Sequence, residues 1–133
     1  MSLQVQVVSP ERILWSGDAE SVTCRTVDGG DIAFLNGHAP FVGALEIGLV
    51  TIRPDEGEDL VLAVHGGFVE VSNNEVSLLS DVAETADQID ADRARQALDR
   101  AQGAVQSDSD DEEAAAAVRR AEIRLQAAGA SVS

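Results

Sequence analysis

Apolar and polar residues alternate one by one along short segments in the first part of the chain. A period of two places every second side chain on the same face of an extended strand, so each segment predicts a strand with one buried face. The clearest apolar positions in these segments are Leu3, Val5 and Val7; Leu60, Leu62 and Val64; Val69 and Val71; and Val76 and Leu78.

Turn-forming residues interrupt these segments at short intervals, and no helical stretch lies between them. Closely spaced turns favour antiparallel strands, and a series of short antiparallel strands predicts a β-sandwich or a β-barrel. We expect a mainly β protein whose N-terminal part is an antiparallel β-sandwich. We place the breaks at Ser16-Gly17-Asp18, Asp28-Gly29-Gly30-Asp31, Asn36-Gly37, Pro54 to Gly57, Gly66-Gly67 and Asn73-Asn74.

The last part of the chain changes to a helical period, which predicts two antiparallel helices joined by a short connection. We expect Asp90 to cap the first helix, and Ser109 to cap the second with Glu112 as its capping-box partner. Gly103 and the polar run from 107 to 111 are expected to loosen the connection. The apolar stripes are Ala94, Ala97, Leu98, Ala101 and Val105, and then Ala114, Ala117, Val118, Ala121, Leu125 and Ala128.

Residue usage shifts near residue 86, from Gly, Val, Leu and Ile to Ala, Arg, Gln and Asp. We therefore predict a β-sandwich domain over residues 1–86 and an α-helical hairpin domain over residues 87–133. The hairpin's stripes are mostly alanine, and burial of apolar surface is worth only about 25 cal/mol per Å². We expect the hairpin to dock weakly and to behave as a mobile appendage.

The chain is strongly acidic, with 24 Asp and Glu residues against 9 basic residues, all of them Arg, and a formal net charge of -15. Phosphate backbones repel such a surface, which argues against nucleic acid as a partner. A small anion would bind only where several Arg side chains gather. No stretch reaches the roughly 18 apolar residues of a membrane span, so we predict no direct membrane insertion. The N-terminus lacks a charged start followed by an apolar run, so we also predict no secretory signal.

Cys24 is the single cysteine, so a disulfide within the chain is excluded. Its neighbours Val22 and Thr26 predict a strand, where a lone cysteine is usually a small buried apolar residue. A nucleophilic cysteine would need a neighbouring base, and nothing nearby in the sequence supplies one. We interpret Cys24 as structural.

Six short motifs follow one another along nearly the whole chain. They span residues 8–11, 17–20, 30–40, 66–71, 76–84 and 89–94, the last reading Ile-Asp-Ala-Asp-Arg-Ala. In this order they resemble the epsilon subunit of bacterial F-type ATP synthases, whose central loop usually reads Gly-Glu-Leu-Gly-Ile-Leu-Pro-Gly-His-Ala-Pro. Ala33 and Asn36 depart from that pattern at a usual Gly and a usual Pro, which affects only the expected shape of this loop.

The resemblance implies a non-catalytic subunit of the central stalk. In the family, the sandwich binds the gamma subunit and rests on the c-subunit ring, so that it turns with them during proton-driven ATP synthesis. The hairpin either folds beside the sandwich or opens along gamma, where it inhibits ATP hydrolysis by the alpha/beta catalytic head. The implied location is peripheral, on the cytoplasmic face of the bacterial plasma (inner) membrane.

The resemblance also suggests subunit contacts. Asp31 and His38 lie in the motif that faces the c ring in the family, where an acidic side chain suits basic residues; a turn role for Asp31 and a packing role for His38 are equally open. On the second helix, Arg119, Arg120 and Arg124 suit an acidic segment of the beta subunit. The alternative is a solvated helix face with local Glu–Arg pairs, each worth about 0.2–0.5 kcal/mol.

In some members of the family, the motif that begins at residue 89 accompanies a folded hairpin that binds regulatory ATP. Arg93 and Arg100 share one face of the first helix, and Arg120 and Arg124 share one face of the second. If these faces converge, four guanidinium groups would surround a triphosphate.

Three further residues match the family's nucleotide site. Glu84 and Asp90 would hold polar groups of the nucleotide, and Ile89 would pack on its base. Members with this motif differ widely in ATP affinity, so binding and its absence both stay open. ATP is expected at most as a regulatory ligand, and no cofactor is required.

Two other classes of protein fit the residues less well. An enzyme is not favoured, because there is no phosphate-binding Gly-rich loop, and neither His38 nor His65 has metal-ligand spacing with Cys24. A carbohydrate-binding sandwich would display exposed aromatic residues, whereas this chain has one Trp and three Phe. We expect Trp15 in the core or at a subunit interface.

Overall fold

The structure, a computed structural model, describes residues 2–129 and contains nine strands and two helices in that range. Residue 1 and residues 130–133, at the ends of the two predicted domains, lie outside the described residues. The strands are β1 (Leu3–Val8), β2 (Ile13–Thr26), β3 (Gly30–Leu35), β4 (Phe41–Ala44), β5 (Ile47–Pro54), β6 (Leu60–His65), β7 (Phe68–Ser72), β8 (Glu75–Leu79) and β9 (Ala83–Thr85). A 3₁₀ turn (Ala86–Gln88) leads to the helices α1 (Ala91–Ser107) and α2 (Glu112–Ala127).

The long strand β2 connects the two layers of the sandwich. Its first half pairs with β1, and its second half pairs with β3 and β5. The register with β5 shifts between Ala19 and Ser21, and the alternation of buried positions changes phase there, from Ala19 to Val22. An irregularity of this kind bends a strand and turns its other face inward. One strand thereby contributes to both layers.

Gly17 lies inside β2 and not in a turn, so the predicted break at Ser16-Gly17-Asp18 is wrong. A Cβ atom added at Gly17 would come within 3.0 Å of the indole ring of Trp15. The glycine therefore permits close packing along a continuous strand. Trp15 is half-buried and packs against the sandwich core, as expected for a core or interface residue.

The strands follow one hydrogen-bonded path, β4-β7-β8-β1-β2-β5-β6-β9, with β3 attached to β2. The pairs are antiparallel except that β1 and β8 run parallel, a departure from the purely antiparallel expectation. A parallel pair requires a long connection between its strands, and here β2 to β7 supply it. The predicted fold class, a mainly β sandwich followed by a helical hairpin, is confirmed.

The predicted alternation is confirmed in three of the four segments, because the apolar positions of β1, β7 and β8 are buried in one core. In β6 the alternation fails, since Leu62, Ala63 and Val64 are buried in succession. Helix α2 packs on β5 and β6, so the outward-facing Ala63 is covered as well. Strands covered on both faces read as continuous apolar runs.

The break at Asn73-Asn74 is confirmed as a two-residue turn between β7 and β8. Both residues have positive φ, 52° and 62°. Two left-handed residues match the right-handed twist of a hairpin, and Asn accepts this conformation more readily than most residues. The Asn74 side chain also accepts a hydrogen bond from the backbone of Gly37 at 2.7 Å, which ties this turn to the loop that carries His38.

The helix caps differ partly from the predictions. Asp90 caps α1, and its carboxylate accepts a hydrogen bond from the Arg93 amide, as expected. Ser109 does not cap α2; Asp111 does, and accepts a hydrogen bond from the Ala114 amide. Gly103 lies inside α1 and does not loosen the connection, because α1 continues to its end four residues later.

The hairpin has a small apolar core of its own. Ala94, Leu98, Ala121 and Leu125 are buried together, and only two of these four are larger than alanine. The sandwich core is far larger, with sixteen buried residues in one cluster. The proposed mobility of the hairpin stays a prediction, as does the division at residues 86 and 87. In this structure α2 is docked on β5 and β6.

Cys24 is buried in the second half of β2, as predicted. Burial, with a smaller effect of the Asp31 carboxylate, raises the pKa of the Cys24 thiol to about 11. The thiolate is the reactive form of cysteine, so this environment keeps the thiol in its inert form.

Candidate functional site

A cleft of about 430 Å³ lies where β9, the 3₁₀ turn and α1 meet α2. This volume falls within the range of small-ligand pockets, roughly 300–1,000 Å³. The cleft brings together six of the seven residues predicted to bind ATP. Its lining consists of Glu84, Gln88, Ile89, Asp90, Arg93, Ala94, Ala97, Arg100 and Arg124.

An ion pair joins the sandwich to the hairpin at this cleft. Arg124 on α2 donates from Nε to Oε1 of Glu84 on β9 at 2.7 Å. The side chains of Arg124 and Glu84 are 30% and 26% exposed, so water shields the pair only partly. Charge-assisted hydrogen bonds of this kind are stronger than neutral ones and stronger than fully exposed ion pairs.

His65, at the end of β6, contacts the same carboxylate. Its Nε2 lies 3.1 Å from Glu84 Oε1, and because an ionised carboxylate only accepts, Nε2 carries the proton and donates. The imidazole is 4% exposed, and its Nδ1 is buried without a hydrogen-bond partner in residues 2–129. Burial, followed by the charge of Arg124, lowers the pKa of His65, against the opposing effect of Glu84.

Sequence reasoning did not find this role of His65, which it considered only as a metal ligand. The interaction joins residues 19 positions apart, and the pairing of β6 with β9 that brings them together is not visible in a single sequence. The sequence offered one indication of this role, which is the residue type. A histidine at the end of an apolar strand is a polar group that needs a hydrogen-bond partner when it is buried.

Two of the predicted arginines line the cleft without ion pairs. Arg93 and Arg100 are both exposed on α1, and no ion pair to either is found within the described residues. Arg120 does not line the cleft, because its Nη2 lies 2.6 Å from the carboxylate of Glu113 on the same helix. The structure therefore brings three of the four predicted guanidinium groups together, one of which, Arg124, is already paired.

The two remaining predicted nucleotide residues lie at the start of α1. Asp90 lines the cleft, but its carboxylate already accepts the capping hydrogen bond from the α1 backbone at 3.1 Å. Ile89 is half-buried and faces the same cleft, between the 3₁₀ turn and α1. Its apolar side chain offers the only large hydrophobic surface among the cleft-lining residues.

The motif predicted to face the c ring is mostly a strand and not a loop, since β3 occupies Gly30–Leu35. Asp31 therefore lies within the strand, near its start, whereas His38 lies three residues beyond its end. Asp31 lines a second groove, of about 450 Å³, together with Arg119 on α2. His38 packs edge-on against Phe34, with 4.9 Å between ring centroids, which favours the packing role for this residue.

An exposed apolar row crosses the outer face of the sandwich. Cross-strand pairing aligns Ala44 with Phe68, Phe68 with Leu79, Leu79 with Val8, and Val8 with Ile13. We call these five residues the outer apolar row. Phe68, Leu79 and Ile13 are 58%, 44% and 56% exposed. With strands about 4.8 Å apart, the row spans about 19 Å.

This row was also missed from the sequence, because its members come from five strands whose order along the sheet differs from their order along the chain. Each residue taken singly is an ordinary exposed hydrophobic. Their alignment is what matters, since contiguous apolar surface on a small protein usually marks an interaction site.

Two kinds of site are absent from the described part of the chain. Within residues 2–129, His, Cys, Asp and Glu side chains form no group of three or more suited to a metal ion. Neither helix in that range has the length and apolar character needed to cross a membrane.

Comparison with known proteins decides the family. Residues 2–86 match the family model described as ATP synthase, Delta/Epsilon chain, beta-sandwich domain. A protein of Streptomyces avermitilis named ATP synthase epsilon chain is 47% identical over 96% of each chain. The chain belongs to the ATP synthase epsilon chain family. A second member, from Synechococcus elongatus, is 42% identical and covers the whole of this chain and 99% of its own.

Solved structures share the fold of this epsilon-type chain. A chain in the Euglena gracilis mitochondrial ATP synthase, described as OSCP/F1/c-ring, superposes with a TM-score of 0.71 at 24% identity and covers 94% of this chain and 76% of its own. A chain of the Tetrahymena thermophila assembly, described as central stalk/cring, gives a TM-score of 0.56 at 18% identity, covering 70% of this chain and 73% of its own.

Membership in this family confirms the resemblance seen in the six motifs. The chain is a non-catalytic subunit of an ATP synthase, as predicted. The cleft, the ion pair and the outer apolar row are therefore features of a protein that works within a larger assembly.

Proposed function

We propose that this chain couples the c ring to the gamma subunit in the central stalk and restrains ATP hydrolysis through its hairpin. The observation that carries the coupling role is the outer apolar row. It lies on strands β4, β7, β8, β1 and the start of β2, while α2 packs on β5 and β6, so the docked hairpin leaves the row uncovered. A rigid sandwich with one exposed apolar face suits a partner that turns with it.

The row is the proposed gamma contact. It contains no charged residue, which suits a desolvated interface centre, and it exposes the large side chains of Phe68, Leu79 and Ile13. The c ring is the proposed partner of Asp31, whose carboxylate would suit basic residues of the ring. Through these two contacts the chain would act peripherally at the cytoplasmic face of the bacterial inner membrane during proton-driven ATP synthesis.

Replacing Phe68 with aspartate should weaken binding to the isolated gamma subunit by roughly 30-fold or more, the effect of losing about 2 kcal/mol at an interface hot spot. Because Phe68 is 58% exposed, the fold should survive the change. Titration calorimetry of the two purified subunits measures the affinity.

Leu35→Asp is the matched control, since Leu35 is 57% exposed but lies on β3, outside the row. It should bind gamma as the parent protein does. If the Phe68 variant binds gamma as tightly as the parent protein does, gamma does not bind at the outer apolar row. If both variants lose affinity equally, the loss is a general effect of added charge.

The hairpin is the proposed brake, by which we mean the element that inhibits ATP hydrolysis. The apolar core between its helices is small and rich in alanine, and the ion pair of Arg124 with Glu84 joins it to β9. When released, α1 and α2 would extend along gamma towards the alpha/beta head. Arg119, Arg120 and Arg124 would then meet an acidic segment of the beta subunit, and the last of these must first leave Glu84.

The cleft beside this ion pair is the proposed regulatory ATP site. Arg93 and Arg100 supply charge for the phosphates, and Ile89 supplies an apolar surface for the base. Since the cleft lies between α1, α2 and β9, a ligand there holds the hairpin docked. Such a ligand at one hundred times its Kd would stabilise the docked state by about 2.7 kcal/mol.

Arg93→Gln and Arg100→Gln should each lower ATP affinity by roughly 10- to 100-fold, because each removes a charge-assisted hydrogen bond worth about 1.5–3 kcal/mol. Calorimetry of the full chain with millimolar ATP and Mg²⁺ measures the affinity. Arg119→Gln is the control, since Arg119 lies on the other groove. No heat and no change in NMR chemical shifts with the parent chain would end the ATP proposal.

A further inference from the structure

We propose that His65 makes docking of the hairpin sensitive to pH, so that acidification releases α2 from the sandwich. The inference rests on the proposed mobility of the hairpin and adds a regulator to it. The device is the set His65, Glu84 and Arg124, in which two donors from different elements share the oxygen Glu84 Oε1.

The geometry around His65 favours the neutral imidazole while α2 is docked. With His65 neutral, Nε2–H donates to Glu84 and Nδ1 carries only a lone pair. A second proton would sit on Nδ1, which is buried and has no acceptor among the described residues. An unpaired buried N–H and a buried charge are both costly, so the docked state disfavours the imidazolium form.

The charged groups around the imidazole oppose one another, and those that disfavour the imidazolium form come from α2. Helix α2 presents Arg124 and, further off, Arg120, both of which oppose a second positive charge. Strand β9 presents Glu84, which favours it, and Asp81 in the turn before β9 lines the same groove as His65. Strand β5, on the other side of β6, places the apolar Ile47 opposite His65.

Departure of α2 reverses this balance. Both arginines leave, the carboxylate of Glu84 stays on the sandwich, and the imidazole gains access to water. The pKa of His65, lowered in the docked state, then returns towards or above its ordinary value of about 6.5. The released state therefore binds more protons than the docked state.

The sign of the pH effect follows from this difference. Docking is fully favourable above the pKa of His65 in the released state and weakens as pH falls through it, since the released form takes up the proton. One such group changes the docking constant by at most about tenfold per pH unit. The expected window lies below roughly pH 6.5.

The test follows the full-length chain by NMR between about pH 5.5 and 8. Amide shifts of β6 and α2 report the docked fraction, and the His65 ring reports its own titration. We expect docking to weaken at the acid end, to lose this pH dependence in His65→Gln, whose amide keeps a donor for Glu84, and to retain it in His38→Gln. His65 and His38 are the only two histidines, so the control is complete.

Arg124→Gln separates this inference from the proposed hairpin function. It should release α2 at every pH and raise the pKa of His65. If His65→Gln and the parent chain show the same pH dependence, the His65 inference is overturned. If α2 releases in Arg124→Gln but the parent chain is insensitive to pH, the inference alone fails. If α2 stays docked in every variant at every pH, the mobile hairpin itself is refuted.

Discussion

Replacing Phe34 with alanine should remove about 3–5 kcal/mol from the free energy of unfolding of the sandwich, the usual cost of emptying a buried aromatic site. Phe34 is fully buried and is the largest of the completely buried side chains. It also packs against the rings of His38 and Phe41, with centroids 4.9 and 5.5 Å away. A loss of this size is a large part of the total free energy of unfolding of a typical domain, which is about 5–15 kcal/mol.

Urea denaturation followed by circular dichroism measures the loss. The matched control is Phe68→Ala, because Phe68 is an aromatic residue of the same nine-stranded sheet but is 58% exposed. Its stability should change by only about 0.5 kcal/mol, as for ordinary surface positions. Equal losses in the two variants would contradict the assignment of Phe34 to the core and of Phe68 to an interface.

The contrast between these two phenylalanines indicates what the sequence could predict. Alternation of apolar residues correctly predicted the strands and the buried positions of β1, β7 and β8, because one buried face imposes a period of two. It could not show the outer apolar row, because alignment across strands depends on sheet order. The row includes Val8 and Leu79, which lie opposite each other only because β1 and β8 run parallel.

The candidate site was likewise predicted in part from the sequence. Helical periodicity placed Arg93 and Arg100 on one face, and both do line the cleft. The shared face of Arg120 and Arg124 did not bring both into it, because a nearby carboxylate, Glu113, holds Arg120 elsewhere. Such local competition between ion pairs depends on rotamers, and residue spacing alone does not determine them.

Helix capping shows the limit of motif matching. Ser109 with Glu112 fits the capping-box pattern, yet Asp111 provides the cap, and the helix begins at Glu112. Several acidic residues lie in this short connection, and each can accept a backbone hydrogen bond at a helix N-terminus. With equivalent caps two residues apart, the chain geometry of the connection decides between them.

Leu125→Ala should favour the open, released hairpin, because Leu125 is completely buried and, among the described residues, is one of two leucines in the core that holds α1 against α2. Such a truncation typically costs about 2–5 kcal/mol. A loss of about 3 kcal/mol shifts the ratio of docked to released hairpin by roughly a hundredfold. Partial proteolysis of the chain should then cut faster within the helices.

The same variant tests the brake in the assembled enzyme. If the released hairpin inhibits, Leu125→Ala should lower ATP hydrolysis, whereas removal of residues 87–133 should raise it. Gln126→Ala is the control on the same helix, since Gln126 is exposed and contributes nothing to the hairpin core. Unchanged hydrolysis after removal of the hairpin would refute the brake while leaving the coupling role untouched.

Opposite signs for the two changes are the decisive outcome, because they separate inhibition from damage. A variant that merely disturbs assembly would lower hydrolysis and would also lower binding to gamma, which the outer apolar row governs in this proposal. The row lies on strands that α2 does not cover, so Leu125→Ala should not weaken binding to gamma. Measuring both quantities on one preparation therefore distinguishes a released brake from a misfolded subunit.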